Sequence, residues 1–114
     1  MAPRLLPLAS VLVLLVTSTV ARAVAAGGER VDAENFERLV GGSGEAWVLE
    51  YMSPRCGTCQ EMAPVFAAVA EKLKGEVRFG TVDIDTDAGM ELAKRHDVFS
   101  EGIPNVRGFG TRGG

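Results

Sequence analysis

Cysteine, histidine and aromatic side chains are scarce in this chain of 114 residues, which has two Cys, one His, one Trp, one Tyr and five Phe. Cys56, Cys59 and His96 offer three soft ligands, one fewer than a structural zinc site uses, so no metal is expected. No run of basic residues occurs, and acids outnumber bases 15 to 12. That balance excludes an ordinary nucleic-acid binder. No internal repeat is visible. The one long uncharged stretch, Leu5 to Ala21, has 17 residues. A membrane-spanning helix needs about 20, so this is at the short limit.

The N-terminal stretch fits a targeting segment. Arg4 supplies a positive start, and Leu5 to Val16 is apolar apart from Ser10, with Pro7 near its beginning. Ala21-Arg22-Ala23 and Ala23-Val24-Ala25 both fit an A-x-A cleavage site. Residues 1–26 are therefore expected to be a cleaved signal peptide. An uncleaved anchor is the alternative, and only that would bring in a membrane. A transit peptide is disfavoured, although no acid precedes Glu29, because the segment has two arginines and no amphipathic spacing. Residues 1–26 carry Arg4 and Arg22 and no acid, so the remainder is more acidic than the whole chain's −3. The 88 residues from position 27 onward suffice for one small domain.

Cys56-Gly57-Thr58-Cys59 holds both cysteines, two residues apart, where one can attack a disulfide and the other resolve it. An exported chain can also keep a disulfide. Before this motif, Ala46 to Met52 is nearly continuously apolar and reads as a strand buried on both faces. Glu50 is an anomaly within it: it faces water at a strand edge, or it is a buried carboxylate. After the motif, Met62, Val65, Phe66, Val69, Ala70 and Leu73 recur at helical spacing and make one apolar stripe. Pro64 should kink that helix, and Gly75 should cap it.

The other elements follow the same logic. Glu29 to Val31 is a short strand. Asp32 caps a helix that carries Asn35, Phe36, Leu39 and Val40, and Gly41 to Gly44 is a loop. Val77 to Ile84 is a strand, Asp85 to Asp87 a turn and cap, and Ala88 to His96 a helix. Ser100 to Gly102 is a loop, and Asn105 to Phe109 an edge strand. Trp47, Met52, Met62 and Met90 are read as core. Strands alternating with helices give an α/β domain over residues 27–110, followed by a tail at 111–114.

Leu49-Glu50-Tyr51-Met52-Ser53-Pro54-Arg55-Cys56-Gly57-Thr58-Cys59 resembles the thioredoxin superfamily, and within it the protein disulfide isomerase type of domain. Pro64, Val82-Asp83-Ile84-Asp85, Val98 and Gly102-Ile103-Pro104 add to the likeness, which covers about residues 29–110. Arg55 departs from the family's tryptophan, and Phe99-Ser100-Glu101 lengthens a usual link. The resemblance implies a mixed sheet flanked by helices. Such a domain continues with a final strand and helix, so an incomplete domain is the expectation.

The resemblance also assigns roles. Cys56 is the nucleophile at a helix N-terminus with a depressed pKa, and Cys59 is the buried resolving cysteine. Glu50 accepts the proton of Cys59. Ile103–Pro104 is a cis peptide whose backbone receives an extended substrate; from the residues alone, a trans-proline opening an edge strand fits equally. Arg55, Gly57 and Thr58 tune the redox potential, Arg55 as a positive charge near Cys56 that points into solvent, with the sign at Thr58 open. His96 sits at a helix C-terminus. The implied activity is thiol-disulfide exchange on cysteine-containing client proteins of the secretory pathway, in the endoplasmic reticulum lumen or secreted. It needs an upstream thiol or disulfide donor and no cofactor. The competing reading is a non-catalytic module or fragment that binds clients without turnover.

Overall fold

In the computed structural model, residues 28–110 are described; the expected signal peptide (1–26) and tail (111–114) lie outside them. The elements in chain order are β1 (Glu29–Arg30), a short π-wound helix α1 (Glu37–Gly41), β2 (Trp47–Met52), α2 (Gly57–Lys72), β3 (Arg78–Asp83), α3 (Asp87–Arg95), a 3-10 turn (Val98–Ser100) and β4 (Asn105–Phe109). The four strands form one mixed sheet in the order β1-β3-β2-β4. β1, β3 and β2 run parallel, and β4 is antiparallel to β2. β2 is therefore flanked on both sides, which accounts for its near-continuous apolar sequence.

Alternation along β2 divides its side chains between two faces. Trp47, Leu49 and Tyr51 join Val31, Phe36, Val40, Val82, Ile84, Leu92, Ala93 and Val98 in the main core, under α1 and α3. The intervening Glu50 faces the α2 side. There Phe66 of α2 meets Phe79 of β3 edge-on, with centroids 5.4 Å apart.

The helix starts follow from local chemistry. Oδ1 of Asp32 accepts the N–H groups of Glu34 and Asn35 at 2.9 and 3.2 Å, and Oδ1 of Asn35 accepts the Asp32 N–H in return. This reciprocal cap opens the segment leading into α1. Thr86 caps α3 by accepting the Gly89 N–H at 3.0 Å. Gly89 allows α3 to sit directly on the end of β3: a Cβ there would lie 1.8 Å from the Asp83 carbonyl oxygen.

Two core expectations are corrected. The stripe on α2 is only partly covered: Phe66 is buried, but Val65 is 62% and Val69 42% exposed. These two valines line an open groove with Pro64, Ala68 and Lys72, and among the described residues no layer covers them. Trp47 is fully buried, but Met52, Met62 and Met90 are half-buried and lie outside the core cluster. Helix α2 runs through Pro64 without a break.

Candidate active site

The site is built where β2 gives way to α2. Ile84 donates its N–H to the Met52 carbonyl at 3.0 Å, which extends the β2–β3 ladder past both strands. Ser53 and Asp85 thereby come side by side, and the Ser53 hydroxyl donates to Oδ2 of Asp85 at 2.8 Å. The Arg55 guanidinium donates to the same carboxylate at two points, 3.2 and 3.3 Å. Backbone bonds complete the turn: the Arg55 N–H reaches Oγ of Ser53, and the Cys56 N–H reaches the Ser53 carbonyl. Gln60 returns from the first turn of α2 to the Pro54 carbonyl at 2.7 Å.

Cys56 is the N-cap of α2. Its Sγ accepts the Cys59 N–H at 3.2 Å, the position a Ser or Asp oxygen takes in an ordinary cap. Oγ1 of Thr58 lies 3.3 Å from the same sulfur. Hydrogen bonds from the Cys59 side chain, and then from Thr58, lower the Cys56 pKa from its ordinary value. The free N–H groups of the helix start favour the anion as well. Burial pushes the Cys59 thiol up, and its contact with Cys56 and the charge of Glu50 add to the rise. The two cysteines are adjacent and free, Cys56 half-buried and Cys59 buried. One sulfur is thus accessible and the more acidic of the two, and the other is sheltered and the less acidic.

Glu50 does not face water. It is 3% exposed, and its Oε1 has no hydrogen-bond partner among the described residues. Burial pushes its pKa up. A buried carboxylate with a spare acceptor and raised proton affinity can take a proton from a neighbouring thiol.

The Ile103–Pro104 peptide is cis and follows Gly102 at φ +90°. Asn105 pairs with Tyr51 across β4 and β2, so Pro104 stands one residue beyond, at the end of the sheet where β2 finishes at Met52. The sequence therefore separates these residues while the sheet places them at one end.

Arg55 is held by Asp85 rather than by Cys56, although its side chain is 84% exposed. The expected cation beside the nucleophile thus already has a counter-charge. In the sequence Asp85 reads as part of a turn, and Ser53 only as part of the segment that leads to Cys56. Their signal lies in the pairing of two parallel strand ends, which the sequence does not specify. His96 is the C-cap of α3, where it packs against Phe36 and Phe109 and meets the Tyr51 hydroxyl through Nδ1. Among the described residues, no cluster of His, Cys, Asp and Glu could hold a metal ion.

Residues 28–110 match the family model described as Thioredoxin. The chain is 46% identical over 81 residues to the protein disulfide-isomerase A6 homolog of Caenorhabditis elegans, covering 71% of this chain and 17% of that protein. It is 36% identical over 81 residues to the protein disulfide isomerase-like 2-3 of Oryza sativa subsp. japonica, covering 71% and 18%. The chain thus spans under a fifth of the length of these curated relatives. Among solved structures, the Trx4 domain of ERdj5 superposes with a TM-score of 0.65 at 27% identity, covering 72% of this chain and 68% of that one.

Proposed function

The chain belongs to the thioredoxin family, and we propose that Cys56 and Cys59 carry out thiol-disulfide exchange with client proteins. The observation that carries this reading is the N-cap geometry: an accessible sulfur that accepts the helix's own N–H, beside a buried second thiol.

The reaction balances without a cofactor. The Cys56 thiolate attacks one sulfur of a client disulfide, the other client sulfur leaves as a thiolate, and a mixed disulfide remains. Cys59 then passes its proton to Glu50 and attacks Sγ of Cys56. The client's second thiolate is released, and the Cys56–Cys59 disulfide forms. Run backwards, the same steps transfer a disulfide to a client dithiol. The backbone at Ile103–Pro104, at the same end of the sheet as the Cys56 loop, receives the client as an added extended strand.

Residues 27–110 are the working domain, and residues 1–26 direct it into the secretory pathway, to the endoplasmic reticulum lumen or beyond. Likeness to proteins named protein disulfide isomerases supports a role on clients with cysteines. An upstream thiol or disulfide donor resets the pair.

The exposed Val65 and Val69 favour a second reading, a module that binds clients without turnover. One experiment separates the two. The full chain is equilibrated against glutathione mixtures, and its disulfide is quantified by alkylation and mass. A reversible two-electron transition supports exchange. Thiols that titrate like those of an unstructured peptide leave only the binding reading.

A further inference from the structure

The turn that delivers Cys56 to α2 has little packing of its own. Pro54 and Arg55 are exposed, and only Ser53 before them is buried. The turn is tied instead to one carboxylate on the neighbouring strand end. Oδ2 of Asp85 accepts the Ser53 hydroxyl at 2.8 Å and Nε–H of Arg55 at 3.2 Å, and Oδ1 accepts from Nη2 of Arg55 at 3.3 Å. Asp85 thus grips the chain on both sides of Pro54. Ser53 passes the hold on: its Oγ accepts the Arg55 N–H at 3.2 Å, and its carbonyl accepts the Cys56 N–H at 3.1 Å.

Asp85 is itself fixed. Its N–H donates to Oδ1 of Asp83 at 2.9 Å, and the other Asp83 oxygen holds Arg30 at 3.0 Å. The Ile84 N–H on the Met52 carbonyl sets the two strand ends level. The position of Cys56 matters because its sulfur accepts the Cys59 N–H at 3.2 Å only from the N-cap. The favourable field of a helix start falls off within its first turn. A shift of the Cys56 backbone therefore takes the sulfur out of it. By its charge alone, a nearby carboxylate disfavours a thiolate. Position and charge thus act on Cys56 with opposite signs.

We propose that Asp85 is a positioning residue for the exchange reaction, clamping Ser53 and Arg55 so that the Cys56 sulfur stays at the N-cap of α2. The inference rests on the exchange reading above and adds the residue that holds its nucleophile in place. Asp85 touches neither sulfur and takes no part in the bond changes.

The test uses the full chain with Asp85→Ala and Asp85→Asn, the second keeping the shape and one acceptor oxygen without the charge. Cys56 alkylation by iodoacetamide is followed by mass across pH, and attack on oxidised glutathione is timed at the high-pH plateau. In Asp85→Ala the alkylation profile should move to higher pH, and the plateau rate should fall about tenfold, within the roughly hundredfold that a misplacement of about 1 Å can cost. Asp85→Asn should fall between Asp85→Ala and the parent, and it decides the matter alone if Asp85→Ala shows no cooperative urea transition. Adding Arg55→Ala to Asp85→Ala should change the rate by less than about twofold, because both act through one carboxylate. A profile that moves to lower pH, as loss of the charge alone requires, or a plateau rate that stays at the parent's value, overturns the proposal and leaves the exchange reading intact. A parent chain that never equilibrates reversibly with glutathione overturns both.

Discussion

Glu50→Gln should make the protein more stable and less active. The carboxylate is buried, and its Oε1 is unpartnered among the described residues. A free glutamate titrates near 4.3; burial raises that value in the folded state. Between the two values, the folded chain keeps a proton that the unfolded chain has released, so stability falls as pH rises through this window. Glutamine has nearly the same shape and no ionisation. The variant and parent should therefore be nearly equal in urea melts at pH 4. At pH 7 the variant should lead, by about 1.4 kcal/mol for each pH unit that separates the two values. The same substitution removes the base proposed for Cys59. Release of glutathione from a Cys56 mixed disulfide should slow by about a hundredfold, the lower end for a positioned base. The reasoning is refuted if Glu50→Gln is destabilising at pH 7, if its stability difference is the same at both pH values, or if release is unchanged.

The remaining predictions concern the second thiol and the packing that supports the site. Cys59→Ser should stop after the first attack, so that mass spectrometry finds one client or glutathione on Cys56 that the parent releases. Leu92→Ala opens a hole in the main core and should cost about 2–5 kcal/mol in urea unfolding at an unchanged slope. Gly89→Ala places a Cβ against the Asp83 carbonyl and should cost about 3 kcal/mol by the same measurement; a change under about 0.5 kcal/mol would mean that α3 is not seated on β3 in this way.

Much of the fold was legible because its signals are local. The Ala46 to Met52 run became β2, with Trp47 as its first residue. Thr86 and Cys56 mark helix starts by chemistry that acts over three residues, whereas Asp32, read as a helix cap, closes the turn that precedes α1. The expectation for α2 was weaker. An apolar stripe states what a helix can bury, but burial also needs a layer to pack against. Phe66 finds Phe79, whereas Val65 and Val69 find none among the described residues. Arg55 illustrates the same limit within the site. Its position beside Cys56 suggested a cation for the thiolate, and only the β2–β3 register shows that its partner is Asp85, thirty residues away.

The sequence alone determined the pairing of two cysteines at a helix start, the acid within an apolar strand and the proline ahead of the last strand. These depend on spacing, periodicity and residue chemistry, all of which can be read along the chain. The tertiary structure decided the strand order, the burial of Glu50, the placing of Pro104 at the sheet end where β2 finishes and the hold of Asp85 on Ser53 and Arg55. Each of these depends on which strands become neighbours and in what register. One residue of slip would turn every side chain to the opposite face.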